Sequence, residues 1–246
     1  HVDLSGYNFT GLDLSDVDFA HANLAQAQLK DADLTGASLK QVSLEGANLA
    51  GANLTRACLD EARLNLLDLT QVTFEDAELR GAMLHGVNLS ECDLRNLNLS
   101  GASLLGATLY ASDLRGANLT EADLTEAQLT QAKLDGVIFS GARFDHVNLS
   151  EVSLVEAQLN HLDLRSACFD GADLSGAELK RSNMNQASFI RSILKRADLS
   201  ESNLDEANLS HTDLEEAQLV GAKIRQARLN ETRLQGARLI NVDFSH

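Results

Sequence analysis

Seven histidines, three cysteines and thirty-six acidic residues are the groups in this 246-residue chain equipped for chemistry. Histidine could shuttle protons or bind metal, a cysteine thiolate could attack or be oxidised, and paired carboxylates could act as acid and base. Their spacing supports none of these roles. His1 and His246 are terminal, and His21, His85, His146, His161 and His211 are scattered without a metal-ligand interval. Cys58, Cys92 and Cys168 form an odd and distant set, a poor basis for a disulfide framework and in keeping with a reducing compartment. Successive glycines are separated by five residues or a multiple of five, which marks turns rather than a phosphate-cradling loop. No catalytic, cofactor-binding or metal-binding residue is expected.

The elements that carry these residues follow from one period. From Leu4 in steps of five to Phe244 there are 49 positions, all Leu, Phe, Met or Ile, and all eight Phe of the chain fall among them. Two residues upstream of each stands Ala in 28 cases, and otherwise a small or modest residue such as Val17, Cys92, Ser112 or Thr212. A step of five advances about 140° on an α-helix and scatters the leucines around it. On a flat strand the same odd step sends successive leucines to opposite faces. The chain must instead turn a corner every five residues, with the large residue and the small one inward and the other three facing water.

All 16 glycines lie two residues after a large inward residue, where a type II turn calls for positive φ. Corners occupied by Asp76, Glu126 or Arg181 are expected to use a different turn. Proline is absent, as suits a backbone whose N–H groups pair from coil to coil.

Runs such as Ala52-Asn53-Leu54-Thr55-Arg56 and Ala117-Asn118-Leu119-Thr120-Glu121 resemble the A(D/N)LXX consensus of pentapeptide-repeat proteins. The resemblance spans the whole chain. It implies an all-β fold, a right-handed quadrilateral parallel β-helix with four pentapeptides per coil and about twelve coils. On that four-fold plan the five inner histidines fall on separate coils, Cys92 points inward, and Cys58 and Cys168 lie outward on opposite faces.

No linker or change of period interrupts the register, so residues 1–246 are read as a single solenoid domain, expected to be part of a longer protein. No apolar run spans a bilayer. The net charge of −16 disfavours direct nucleic-acid binding, which needs a basic surface. The expected function is a non-catalytic scaffold for protein–protein contacts, in the bacterial cytoplasm or secreted as part of an effector. The family resemblance also implies an alternative, an acidic DNA mimic that binds bacterial type II topoisomerase, although no face carries an unbroken acidic stripe.

Outward positions that break the polar rule are the candidate binding residues. Leu66, Met83 and Leu105 fall on one face in three successive coils, with Tyr110 one corner further on, and are expected to form a continuous apolar strip. Ile190 and Ile193 flank a second corner. Lys223, Arg228, Arg233 and Arg238 share one outward phase in four successive pentapeptides, a basic collar suited to an acidic neighbour and to end-to-end self-association. The outward Asn8, Asn48, Asp68, Asn88 and Asn148 share one face, where they are expected to bond nearby backbone.

Overall fold

The computed structural model describes residues 2–245. No helix occurs among them; the chain is a β-solenoid in which parallel bridges join residue n to n+20, from Asp3↔Asn23 to Lys223↔Asp243. Four five-residue units therefore make one coil, each closed by a turn.

Within a unit every backbone N–H finds a distinct destination, as a buried ladder requires. In the unit around Leu24 and its neighbours, Leu24 N–H donates to Ser43 O of the next coil, Gln26 N–H to Glu45 O, and Asn23 N–H back to Val2 O. Ala27 N–H closes the turn onto Leu24 O. The remaining donor, Ala25 N–H, is accepted by the Asn23 side chain. Asp and Asn recur before the large residue because their carbonyl oxygens cap this last N–H. Thr10, Ala50, Thr70, Ser90 and Ser150 N–H are accepted in this way by Asn8, Asn48, Asp68, Asn88 and Asn148.

The corners correct the expectation of two turn types. Asp76, Glu126 and Arg181 adopt φ of 56°, 60° and 56°, like the glycines and nearly all other corner residues. Left-handed backbone costs a non-glycine residue on the order of 1–2 kcal/mol. It is held here because the corner N–H must reach the next coil, as Glu126 N–H reaches Asp145 O and Arg181 N–H reaches Ser200 O. Gln71 is the exception, absent from the positive-φ corners of the described residues.

Every large inward residue from Phe19 to Ile224 is buried. The inward hydroxyls are satisfied by carbonyls of the core wall: Ser112, Ser192 and Ser202 donate to Leu109, Phe189 and Leu199 O, and Ser182 to Leu159 O one coil away. Four rungs of the bridge series are interrupted, at 48/68, 73/93, 138/158 and 143/163. Each has an oversized inward residue beside it: Leu67, Phe74, Phe139 and Phe144 respectively.

Candidate interaction surface

Leu66, Met83 and Leu105 share a face in three successive coils, but they occupy three different positions on it. Met83 is the bridge residue, paired with Arg63 and Ser103. Leu66 and Leu105 lie at the adjoining turn, so the group runs obliquely rather than as one column. Leu66 is 80% exposed and leans over Gly86, where an added Cβ would meet its Cδ2 at 2.8 Å. Met83 and Leu105 are 40% and 37% exposed. Tyr110 lies one corner on and donates its hydroxyl to Gln131 Oε1 at 2.9 Å. In the coils of Met83 and Leu105 the corners bounding this face are glycines, Gly81 and Gly86, then Gly101 and Gly106; in the coil of Leu66 they are Glu61 and Leu66 itself. Glu61 and Leu66 of the preceding coil rise over Gly81 and Gly86, while the edges at Gly101 and Gly106 are open.

Met83 occupies a position that normally holds a capping Asp or Asn, and the cap is supplied from elsewhere. His85 N–H, which such a residue would accept, is taken by Asn65 Oδ1 from the preceding coil at 3.0 Å. The same substitution recurs at four other units. Asp60 caps Arg80 N–H beside Glu78, Asn160 caps Lys180 N–H beside Glu178, Asp170 caps Ile190 N–H beside Ser188, and Asp205 caps Arg225 N–H beside Lys223. Asp60 and Asp205 also bind the guanidinium groups of Arg80 and Arg225. Hydrogen bonding from Arg225 holds the Asp205 carboxyl below the usual carboxylate range, against the opposing effect of burial. Sequence reasoning missed these five caps; the signal was an Asp or Asn after the large residue, exactly one 20-residue coil before a unit that lacks its own.

The weaker candidates are distributed otherwise. Ile190 is half-buried and Ile193 is 38% exposed between Asp173 and Asp213. Lys223, Arg228, Arg233 and Arg238 occupy the bridge positions above Asn203, Asn208, Asp213 and Gln218. Arg233 is paired with Asp213 and Glu215 at 3.1 and 3.7 Å, so it serves the rod itself. Among the described residues the histidines do not converge; His211 meets Glu231 and His146 meets Asp145. Among the described residues, Cys58, Asp60 and Glu78 bring potential metal-ligand atoms within 4.8 Å, but Asp60 is already engaged by Arg80. Cys92 is buried, with Sγ 3.4 Å from Leu69 O, and burial, with the Asp68 charge, raises its thiol to about 11.

The family model for pentapeptide repeats matches eight copies, over residues 1–36, 27–65, 67–96, 142–181, 182–219 and 217–246, and a model described as a pentapeptide repeat region matches 82–159. The chain belongs to the pentapeptide-repeat family. Among curated proteins none matches it. Similar solved structures include HetL, a pentapeptide repeat protein involved in heterocyst differentiation regulation in Nostoc sp. strain PCC 7120. It is 27% identical over 97% of this chain and 91% of that one, with a TM-score of 0.27. Full-length QnrB1, a plasmid-mediated fluoroquinolone resistance protein, is 14% identical over 98% and 93%, with a TM-score of 0.34. A pentapeptide repeat protein of the Arabidopsis thaliana thylakoid lumen is 31% identical over 51% and 66%, with a TM-score of 0.18. In this pentapeptide-repeat chain, then, most outward Asp and Asn residues serve the backbone, and the candidate contact residues are those that depart from the consensus.

Proposed function

We propose that this chain is a non-catalytic display scaffold, one domain over residues 1–246, coiled as a right-handed quadrilateral rod of about twelve turns. It binds a protein partner through the face carrying Leu66, Met83 and Leu105, with Tyr110 at its border. The observation that carries this reading is the replacement at Met83: an apolar side chain faces water where a capping residue belongs, Asn65 takes over the cap, and the glycine corners Gly101 and Gly106 leave the adjoining edges clear. Exposed Met and aromatic side chains are favoured interface anchors. The setting is the bacterial cytoplasm or a secreted effector. The basic side chains at 223–238 suit an end-to-end contact with the acidic Asp3, Asp13 and Asp18 of a second copy.

Affinity capture with the wild-type rod and with the triple variant Leu66→Ser, Met83→Ser, Leu105→Ser tests the reading. The variant is expected to lose a specific partner while its thermal midpoint stays put. Retained binding would remove this face from consideration, and a fall in midpoint would mean that the three side chains serve the fold.

The net charge of −16 favours a second reading, an acidic mimic that inhibits bacterial gyrase. Against it stand the many carboxylates engaged within the rod, by backbone N–H groups or by Arg80, Arg95, Arg115 and Arg225. A supercoiling assay separates the two: inhibition that fades with added salt belongs to the mimic, whose contacts are screened, and no effect belongs to the scaffold.

A further inference from the structure

One rung interface differs from all the rest. Among the described residues, two successive bridges, 138/158 and 143/163, are missing between Lys133↔Ser153 and Asn148↔Cys168, and no backbone hydrogen bond of ordinary length joins 136–144 to 155–163. The ladder resumes on the next unit, where His146 N–H donates to Arg165 O, Leu149 N–H to Cys168 O and Cys168 N–H to Val147 O. Ser150 Oγ and Cys168 Sγ add a contact of 3.2 Å there. The two open units, at Phe139 and Phe144, lie across the coil from the two joined ones, at 148/168 and 133/153 respectively. The other interruptions, at 48/68 and 73/93, each affect one bridge.

The opening has a consequence for the core. A cleft of about 450 Å³ lies along it, lined by Val137, Ile138, Phe139, Val155 and Ala157. Ile138 and Val155 are 52% and 47% exposed, and Val137 and Ala157 are half-buried although their position is closed in the interior coils on either side. The cause is steric. Phe139 and Phe144 are adjacent inward residues of one coil, packed edge to face at 5.2 Å, and the coil above offers them Leu159 and Leu164. Two rings wedged beneath two leucines hold the coils apart on the Phe side and leave the far side joined.

We infer that this interface is a hinge. The rod works as two stiff blocks, up to about residue 150 and from about 151 onward, that flex about the two joined units, at 133/153 and 148/168, and gape at Phe139 and Phe144. The flexing changes the angle between the apolar face near Met83 and the basic residues beyond Lys223. Local opening of this kind is expected where few backbone bonds and an incompletely covered core coincide.

Hydrogen exchange and small-angle X-ray scattering on the whole chain test it. Amides of 136–144 and 155–163 should exchange at least about tenfold faster than those of 169–189. The double variant Phe139→Leu, Phe144→Leu should bring the coils together, slow that exchange and narrow the scattering to that of a single stiff rod. Should the double variant fold poorly, Leu159→Phe offers a second route, since it places a ring above Phe139. Uniform exchange along the wild-type rod would overturn the hinge. So would scattering from a stiff rod in the wild type, or an unchanged exchange pattern in both Leu and Phe variants.

Discussion

Two phenylalanine pairs, thirty residues apart, meet the same ladder with opposite results. Phe139 and Phe144 lie side by side in one coil, with rings 5.2 Å apart at 64°, and both of their upward bridges are missing. Phe169 and Phe189 lie one above the other in successive coils, with rings 4.9 Å apart and only 5° from parallel, and the bridges from 148/168 through 188/208 are intact. A ring is wider than a leucine in the plane of the coil but can be thin across it. Stacked in register, the two rings keep to the spacing of roughly 4.8 Å that the ladder demands. Side by side in one coil beneath Leu159 and Leu164, Phe139 and Phe144 lose it, whereas Phe189, a single ring beneath Leu209, keeps its bridge. Phe74, which also lies beneath a leucine, loses its upward bridge in the same way. Phe9 and Phe19, in the first coil beneath Leu29 and Leu39, keep theirs. Residue size in a solenoid is thus judged against the inward neighbour in the same coil as well as the residue one coil away.

The sharpest way to break the comparison is to cut each pair. Phe169→Ala leaves Phe189 without its stacking partner in a closed core, and should cost about 3–5 kcal/mol, the usual range where the site cannot collapse. Phe139→Ala should cost clearly less, because the truncation also relieves the wedge and lets the coils close. Denaturant midpoints of the two variants check this; equal losses would show that the open ladder has some cause other than ring packing.

Much of this was legible in sequence. The inward Leu, Phe and Ala positions were readable because their register is steric and never slips between Leu4 and Phe244. The corners were readable where glycine stands, but Asp76, Glu126 and Arg181 misled, since the bonds that impose positive φ on them come from the next coil. For the same reason Asn65 and Asp205 passed as ordinary surface residues: their duty is to an N–H twenty positions ahead. The oblique placing of Leu66, Met83 and Leu105 required the positions within a unit as well as the face. Local pattern, in short, reveals what a residue does for its own unit and hides what it does for the neighbouring coil.

A smaller effect tests that cross-coil duty in the joined, C-terminal block. Asp205 accepts Arg225 N–H and pairs with its guanidinium, so Asp205→Ala leaves a backbone donor and a charge without their partner and should cost about 1–3 kcal/mol. Its pH dependence has a definite sign. The folded carboxyl titrates below its unfolded value, so the charged form is favoured in the fold. That contribution is complete above the unfolded carboxylate range and is lost as pH falls through the depressed folded value. Unfolding curves should show the wild type losing stability on acidification over that window, with Asp205→Asn losing less. Parallel curves would show that the Arg225 contact matters little to the fold.

The smallest effect concerns the thiols, and it probes the lesser interruption at 73/93 without altering the core. Cys92 is inward, just before the bridge residue Asp93, and its thiol is pushed up to about 11, chiefly by burial. Cys58 and Cys168 are outward and half-buried. At pH 8 the Cys92 thiolate is a small fraction of the total and is shielded, so a maleimide should modify Cys58 and Cys168 first. The decisive measurement is how Cys92 labelling responds to denaturant well below the unfolding midpoint. If the one-bridge interruption is static, Cys92 should react only through global unfolding, with a steep denaturant dependence matching that of Cys92 in a Phe74→Leu variant whose bridge is restored. If its rate is shallow in denaturant and becomes steep in Phe74→Leu, then even a single missing bridge admits local opening. The first outcome is expected, because the units on both sides hold their bonds, with Leu69 N–H on Asn88 O and Leu79 N–H on Asn98 O. Only at 136–144 are two successive bridges missing, and only there should the rod open under native conditions.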